Sequence, residues 1–210
     1  MVLALLGLAL ASGRARHEPA QAEAPSVMIG RQTWMARNLE TTTFRNGDSI
    51  PEARTLQAWR EAIREKRPAW CYPNNDSLLG ALYGKLYNEF AVSDPRGLAP
   101  QGWRMPDAAD WRELGRHLGG NKRAGEKLKS AQGWTGRRPG NNESGFSALP
   151  GGARVVAMIN PNEGFVGVGK TGYWWTSTVD RRTGEYLVWG LDANNQRLLP
   201  IWDTFSSDGY

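Results

Sequence analysis

Residues 172–178 read GYWWTST. Successive side chains of a strand point to opposite faces, so Tyr173 and Trp175 share one face while Trp174 and Thr176 share the other. Each face therefore carries a large aromatic, and a fold containing this strand has to cover both faces or put one to use. Either the strand lies between two packed layers, or one face floors a site that grips a flat ring such as a sugar. At least one of Trp174 and Trp175 is expected in the core, against the region of Trp103 and Trp111. The candidates for ligand contact are Tyr173, Trp175, Trp189 and Trp202, although core packing accounts for any single one of these rings as well.

Composition points the same way. The 210 residues include ten Trp and 25 Gly with few long aliphatic runs, so the interior is built from aromatics joined by tight turns. This length supports one good core. The formal net charge of +5 is spread along the chain. The one dense stretch, REAIREKR (60–67), interleaves Glu with Arg and Lys, which describes a solvated helix face rather than a nucleic-acid surface.

Two helical signals stand out along the chain. TLQAWREAIREK (55–66) spaces Leu56, Trp59, Ala62 and Ile63 as one apolar face and stops before Pro68. GWRMPDAADWRELGRHLGG (102–120) places Asp107 as N-cap, Asp110 at the capping-box position, and Trp111, Leu114 and Leu118 as a stripe closed by Gly119 and Gly120. AGEKLKSAQGW (124–134) reads as one or two helical turns. Residues 26–40 alternate as a strand with Met28, Trp34 and Met35 buried, and residues 80–92 read as a strand or bent segment. Further strands are expected at 164–169, 172–178, 185–192 and 197–202. Helices followed by strands indicate an α+β fold, with two or three short helices, a small, mostly antiparallel twisted sheet, and long Gly/Asn-rich loops.

The first residues, MVLALLGLALASG, are apolar over the length of a signal-peptide core and too short to span a bilayer; no basic residue precedes them. Residues 1–26 are therefore expected to be a signal peptide and linker, residues 27–210 a single domain, and the destination outside the cytoplasm: secreted or in the cell envelope. Cys71 is the one cysteine. His17 and His117 lack a partner at metal-ligand spacing, so no metal centre is expected. YPNND (72–76) and NPNEG (160–164) offer oxygen ligands of the kind calcium takes, although Asn and Pro form turns for their own reasons. Calcium aside, no cofactor is expected.

In order, IGRQTWMARNL, AWCYPNND, YGKLYN, DPRGLAPQGWRMPDAADW, AGEKLKS, NNESGFSALPGG and GYWWTST resemble the successive motifs of the Fibrobacter succinogenes major paralogous domain family. The resemblance covers about residues 27 to 180. It implies an exported or surface-associated bacterial protein and a C-type-lectin-like fold, distantly similar to that of formylglycine-generating enzymes. Domains of this kind usually end in a segment containing Val-Arg-Cys, whereas this chain stops at SSDGY, so the resemblance also implies a truncated end and a lost partner for Cys71.

Catalysis has little to draw on. A nucleophilic site needs a base beside a Ser or Cys, and the cysteine pair of formylglycine-generating enzymes has no counterpart here. Asp180, Glu185 and Asp192 remain as acids near strand ends, for which solvation is the simpler account. The expected function is a non-catalytic binding module for a cell-surface or plant polysaccharide. The alternative is a structural or adhesive surface protein acting through protein contacts. Neither nucleic acid nor a membrane span is expected.

Overall fold

The computed structural model describes residues 6–7, 25–156 and 164–203. In chain order the strands are β1 (Leu6–Gly7), β2 (Ser26–Ile29), β3 (Gln32–Met35), β4 (Trp70–Cys71), β5 (Leu86–Tyr87), β6 (Trp103–Arg104), β7 (Ala153–Arg154), β8 (Phe165–Val166), β9 (Thr171–Val179), β10 (Tyr186–Asp192) and β11 (Leu199–Trp202). The helices are α1 (Leu56–Arg64), α2 (Ser77–Tyr83), α3 (Glu89–Val92), α4 (Ala108–His117) and α5 (Ala124–Leu128). Among the described residues, five α-helices with small antiparallel sheets make an α+β fold, with more helices than the two or three expected. No described helix is long and apolar enough to cross a membrane.

The sheet β11-β10-β9 organises the molecule. Trp189 lies opposite Trp174, and Gly190 opposite Tyr173, in an antiparallel register with an irregularity between Tyr186 and Val188. Alternation then sends Trp174, Trp189 and Leu191 into one apolar cluster and Trp175 and Val188 into another. Both faces of GYWWTST are thus covered, which settles the question that its paired rings raise. The indole N–H of Trp174 donates to Asn38 Oδ1 (3.0 Å) and that of Trp175 to the Tyr87 carbonyl (2.9 Å), so each ring is fixed by a polar tip as well as by packing.

Helix α4 closes the first face. Its N-terminus carries a complete capping box: Asp107 accepts from Ala109 and Asp110 N–H, and Asp110 accepts from the Asp107 N–H. Arg104 grips the same Asp110 carboxylate through two hydrogen bonds, of 2.7 and 2.8 Å. So anchored, the helix drives Trp111 into the middle of the aromatics. Its ring lies 5.1 Å from Trp34, 5.8 Å from Phe146, 6.1 Å from Trp174 and 6.0 Å from Trp189, with the last pair stacked.

Several expectations give way here. The predicted single strand over 26–40 is a hairpin, β2 to β3, because Gly30 takes φ 63° and turns the chain. Met28, expected in the core, is 74% exposed; Trp34 and Met35 are buried. Residues 80–92, expected as a strand or bent segment, hold the end of α2, the two-residue strand β5 and then α3, because Gly84 (φ 78°) ends the first helix and Asn88 caps the next. Of the expected leader and linker only Leu6–Gly7, Pro25 and Ser26 are described; Leu6 and Gly7 pair with Trp34 on one side and with Trp103 and Arg104 on the other, and Ser26 begins β2. The rest of that segment, NPNEG up to Glu163, and the terminal SSDGY lie outside the described residues.

Because Trp111 touches four other rings and is fully buried, Trp111→Ala removes a large volume that the neighbours cannot refill. Urea denaturation is expected to show a loss of about 3–5 kcal/mol. An effect below about 1 kcal/mol, the range of surface substitutions, would show that the ring is not central to packing.

Candidate functional site

The four rings proposed for ligand contact do not form one site. Trp175 and Trp189 are buried, on opposite faces of the central sheet, and belong to the core. The expectation for these two is corrected: a strand covered on both faces has no ring to spare in its interior. Tyr173 is half-buried and lies across Gly190, where an added Cβ would sit 3.3 Å from the tyrosine ring. Trp202 alone of the four is open, at 43% exposure, on β11 at the edge of the sheet.

The edge that carries Trp202 is unsuited to pairing with another strand. The Asp203 N–H donates to the Tyr186 carbonyl at 2.8 Å, so by alternation Leu199 and Ile201 direct their backbone groups to β10, while Pro200 and Trp202 direct theirs outward. Proline has no N–H, and the open edge therefore lacks a donor in its centre. What β11 offers a partner is the indole face rather than its backbone.

The acids considered for catalysis are occupied in turns and do not converge. Asp180 accepts from the Arg182 N–H (2.8 Å), and Glu185 from the Thr183 hydroxyl (3.1 Å), both at the β9–β10 connection. Asp192 accepts from the Asn194 N–H (2.7 Å) at the other end of β10. In YPNND, Asp76 caps α2 by accepting from the Leu78 N–H (2.8 Å), while Asn74 and Asn75 take positive φ. Among the described residues, no group of three or more His, Cys, Asp or Glu is placed to hold a metal ion. Cys71 is buried, and burial pushes its thiol up to about 11, away from reactivity.

Two buried charged side chains had no clear signature in the sequence. Lys129 is fully buried, and its ammonium donates to the carbonyls of Arg138, Asn195 (2.9 Å) and Asp192 (3.2 Å), tying α5 to two loops. Its position in AGEKLKS gave no hint that it turns inward. Glu89, at the start of α3, is 8% exposed, and its Oε2 has no hydrogen-bond partner. Its apolar flanks in YNEFAV were the one available signal. Burial, aided by the charge of Asp203, pushes the Glu89 carboxyl up from 4.5 to about 7.

A concave site opens elsewhere. Between the β2–β3 turn and the last turns of α4 lies a cleft of about 520 Å³ lined by Ile29, Gly30, Arg31, Glu113, Arg116 and His117. His117 is exposed as the last residue of α4, and nothing in the sequence brings it together with Arg31.

A family profile described as the Fibrobacter succinogenes major domain matches residues 27–198. The chain belongs to this family. The match begins at β2 and continues past β10, so it takes in the whole aromatic interior and the α4 cleft of the domain. No curated protein and no solved structure matches the chain.

Glu89 yields a pH dependence with a definite sign. A carboxyl raised from 4.5 to about 7 favours folding most below pH 4.5, and that contribution is lost as pH rises to 7. Glu89→Gln keeps the shape and removes the charge. Denaturation midpoints measured from pH 4.5 to 8 should show the variant gaining on the natural protein, by about 3 kcal/mol at the upper end. Parallel profiles would show that Glu89 does not titrate in this window. In the same native protein Cys71 should resist a thiol reagent until denaturant is added, and rapid native labelling would contradict its burial.

Proposed function

We propose that this domain is a non-catalytic binding module, exported to the cell envelope or beyond, and that Trp202 is the ring it presents to a polysaccharide. One observation carries the reading. Eight of the chain's ten tryptophans are buried, yet Trp202 keeps 43% exposure on a regular strand. An indole is costly to leave in water, and this one stands beside a proline that discourages strand pairing. A flat apolar face with a polar edge suits the ring of a sugar.

A second reading, contact with a surface protein, rests on a different place. Leu78 and Leu82, one turn apart on α2, are 79% and 51% exposed and give that helix an apolar outer face.

Binding to a panel of soluble plant and bacterial polysaccharides separates the two. The first reading predicts millimolar or tighter binding that Trp202→Ala weakens about five- to tenfold, as expected for a lost ring contact of about 1 kcal/mol. No binding by the natural protein at millimolar concentration contradicts it. Capture of an envelope protein that is lost in a Leu78→Ser, Leu82→Ser double variant, with polysaccharides inert, favours the second.

A further inference from the structure

We infer that the cleft between the β2–β3 turn and α4 binds an oxyanion, a carboxylate or sulfate group carried by an acidic ligand. Arg31 comes from the turn, and Arg116 and His117 from the last turn of α4, yet all three line one concavity. Among the described residues, none of the three makes an ion pair or a side-chain hydrogen bond, and Glu113, the one acid in the lining, makes none either. Three nitrogen-bearing side chains and one carboxylate thus line a cleft of about 520 Å³, within the range of small-ligand sites.

Favourable placement near a helix C-terminus accounts for basic residues at positions 116 and 117. It does not account for Arg31, which belongs to another element, nor for the fit between the turn and the imidazole. Gly30 lies against the His117 ring: an added Cβ would come within 2.9 Å of Nδ1 and 3.1 Å of Cγ. The absence of a side chain at Gly30 lets the ring rest on the turn, which sets its position relative to the neighbouring Arg31. Buried Ile29 supplies an apolar lining residue. Guanidinium groups present planar paired donors that match carboxylate and sulfate oxygens, and an imidazole adds one donor.

The cleft is separate from Trp202, and the inference does not depend on the polysaccharide reading. It is tested with the full chain by following the His117 ring resonances in NMR, assigned against a His17→Gln variant. Sodium sulfate and sodium glucuronate are titrated separately, with sodium chloride at matched ionic strength and neutral glucose as controls. The inference predicts saturable shifts of the His117 ring with one or both oxyanions and none with glucose; whichever anion acts identifies the group recognised. Arg31→Ala and Arg116→Ala should each weaken the response about two- to fivefold, as expected for exposed charge contacts. Glu113→Gln should strengthen it, and Trp202→Ala should leave it unchanged. Shifts no larger than those in sodium chloride, or shifts unaffected by both arginine substitutions, would overturn the assignment. All three substituted cleft side chains are partly or fully exposed, and near-ultraviolet circular dichroism confirms that each variant keeps its aromatic packing.

Discussion

The packing of Trp111 against the central sheet is the contact on which the rest of this structure depends. The ring stacks on Trp189 and touches Trp34, Phe146 and Trp174, so it joins helix α4, the β2–β3 hairpin, the loop around Phe146 and the sheet in one cluster. Each aromatic contact adds about 0.5–1.5 kcal/mol beyond the area it buries. The helix holds the ring there because its N-terminus is secured: Asp107 and Asp110 satisfy its first amides, and Arg104 fixes Asp110 from β6. Moving the helix would therefore disturb the core and the α4 cleft together.

The same contact governs what remains for function. A strand reading YWW carries aromatics on both faces, and the fold covers both, one with α4 and its neighbours and the other with β4, β5 and the Leu98–Ala99 region. Rings used this way are not available to a ligand. Trp202 at the margin of the sheet, and Arg31, Arg116 and His117 around the end of α4, are instead the side chains that meet solvent. The core and the α4 cleft share one side chain, Ile29, which packs in the cluster around Trp111 and also lines the cleft.

Much of the scaffold was legible because its signals are local. The capped helix 107–117, the helix before Pro68 and the strands around Trp174 and Trp189 each declare themselves within a dozen residues, and the ordered motifs point to the family over about residues 27 to 180, within the span 27–198 that the family profile matches. The misreadings involve information that is not local. In residues 80–92, aromatics at mixed spacing hid two short helices separated by Gly84, whose positive φ is a property of the fold. Met28 alternates like a buried residue, but its side of the β2–β3 hairpin is not covered. Choosing which rings stay exposed requires the sheet order: Trp189 is on the central strand and Trp202 on the edge, a difference that sequence alone does not print. The cleft was hidden for the same reason, since Arg31 and His117 are brought together only by the packing of the hairpin on α4.

The central claim is that one exposed indole stands apart from a sealed aromatic interior. Acrylamide quenching of tryptophan fluorescence tests it most directly. The account predicts a small accessible fraction in the native protein that falls on Trp202→Phe substitution, with the remaining emission resistant until unfolding. Uniform quenching of the native protein, or an accessible fraction unchanged in Trp202→Phe, would contradict it.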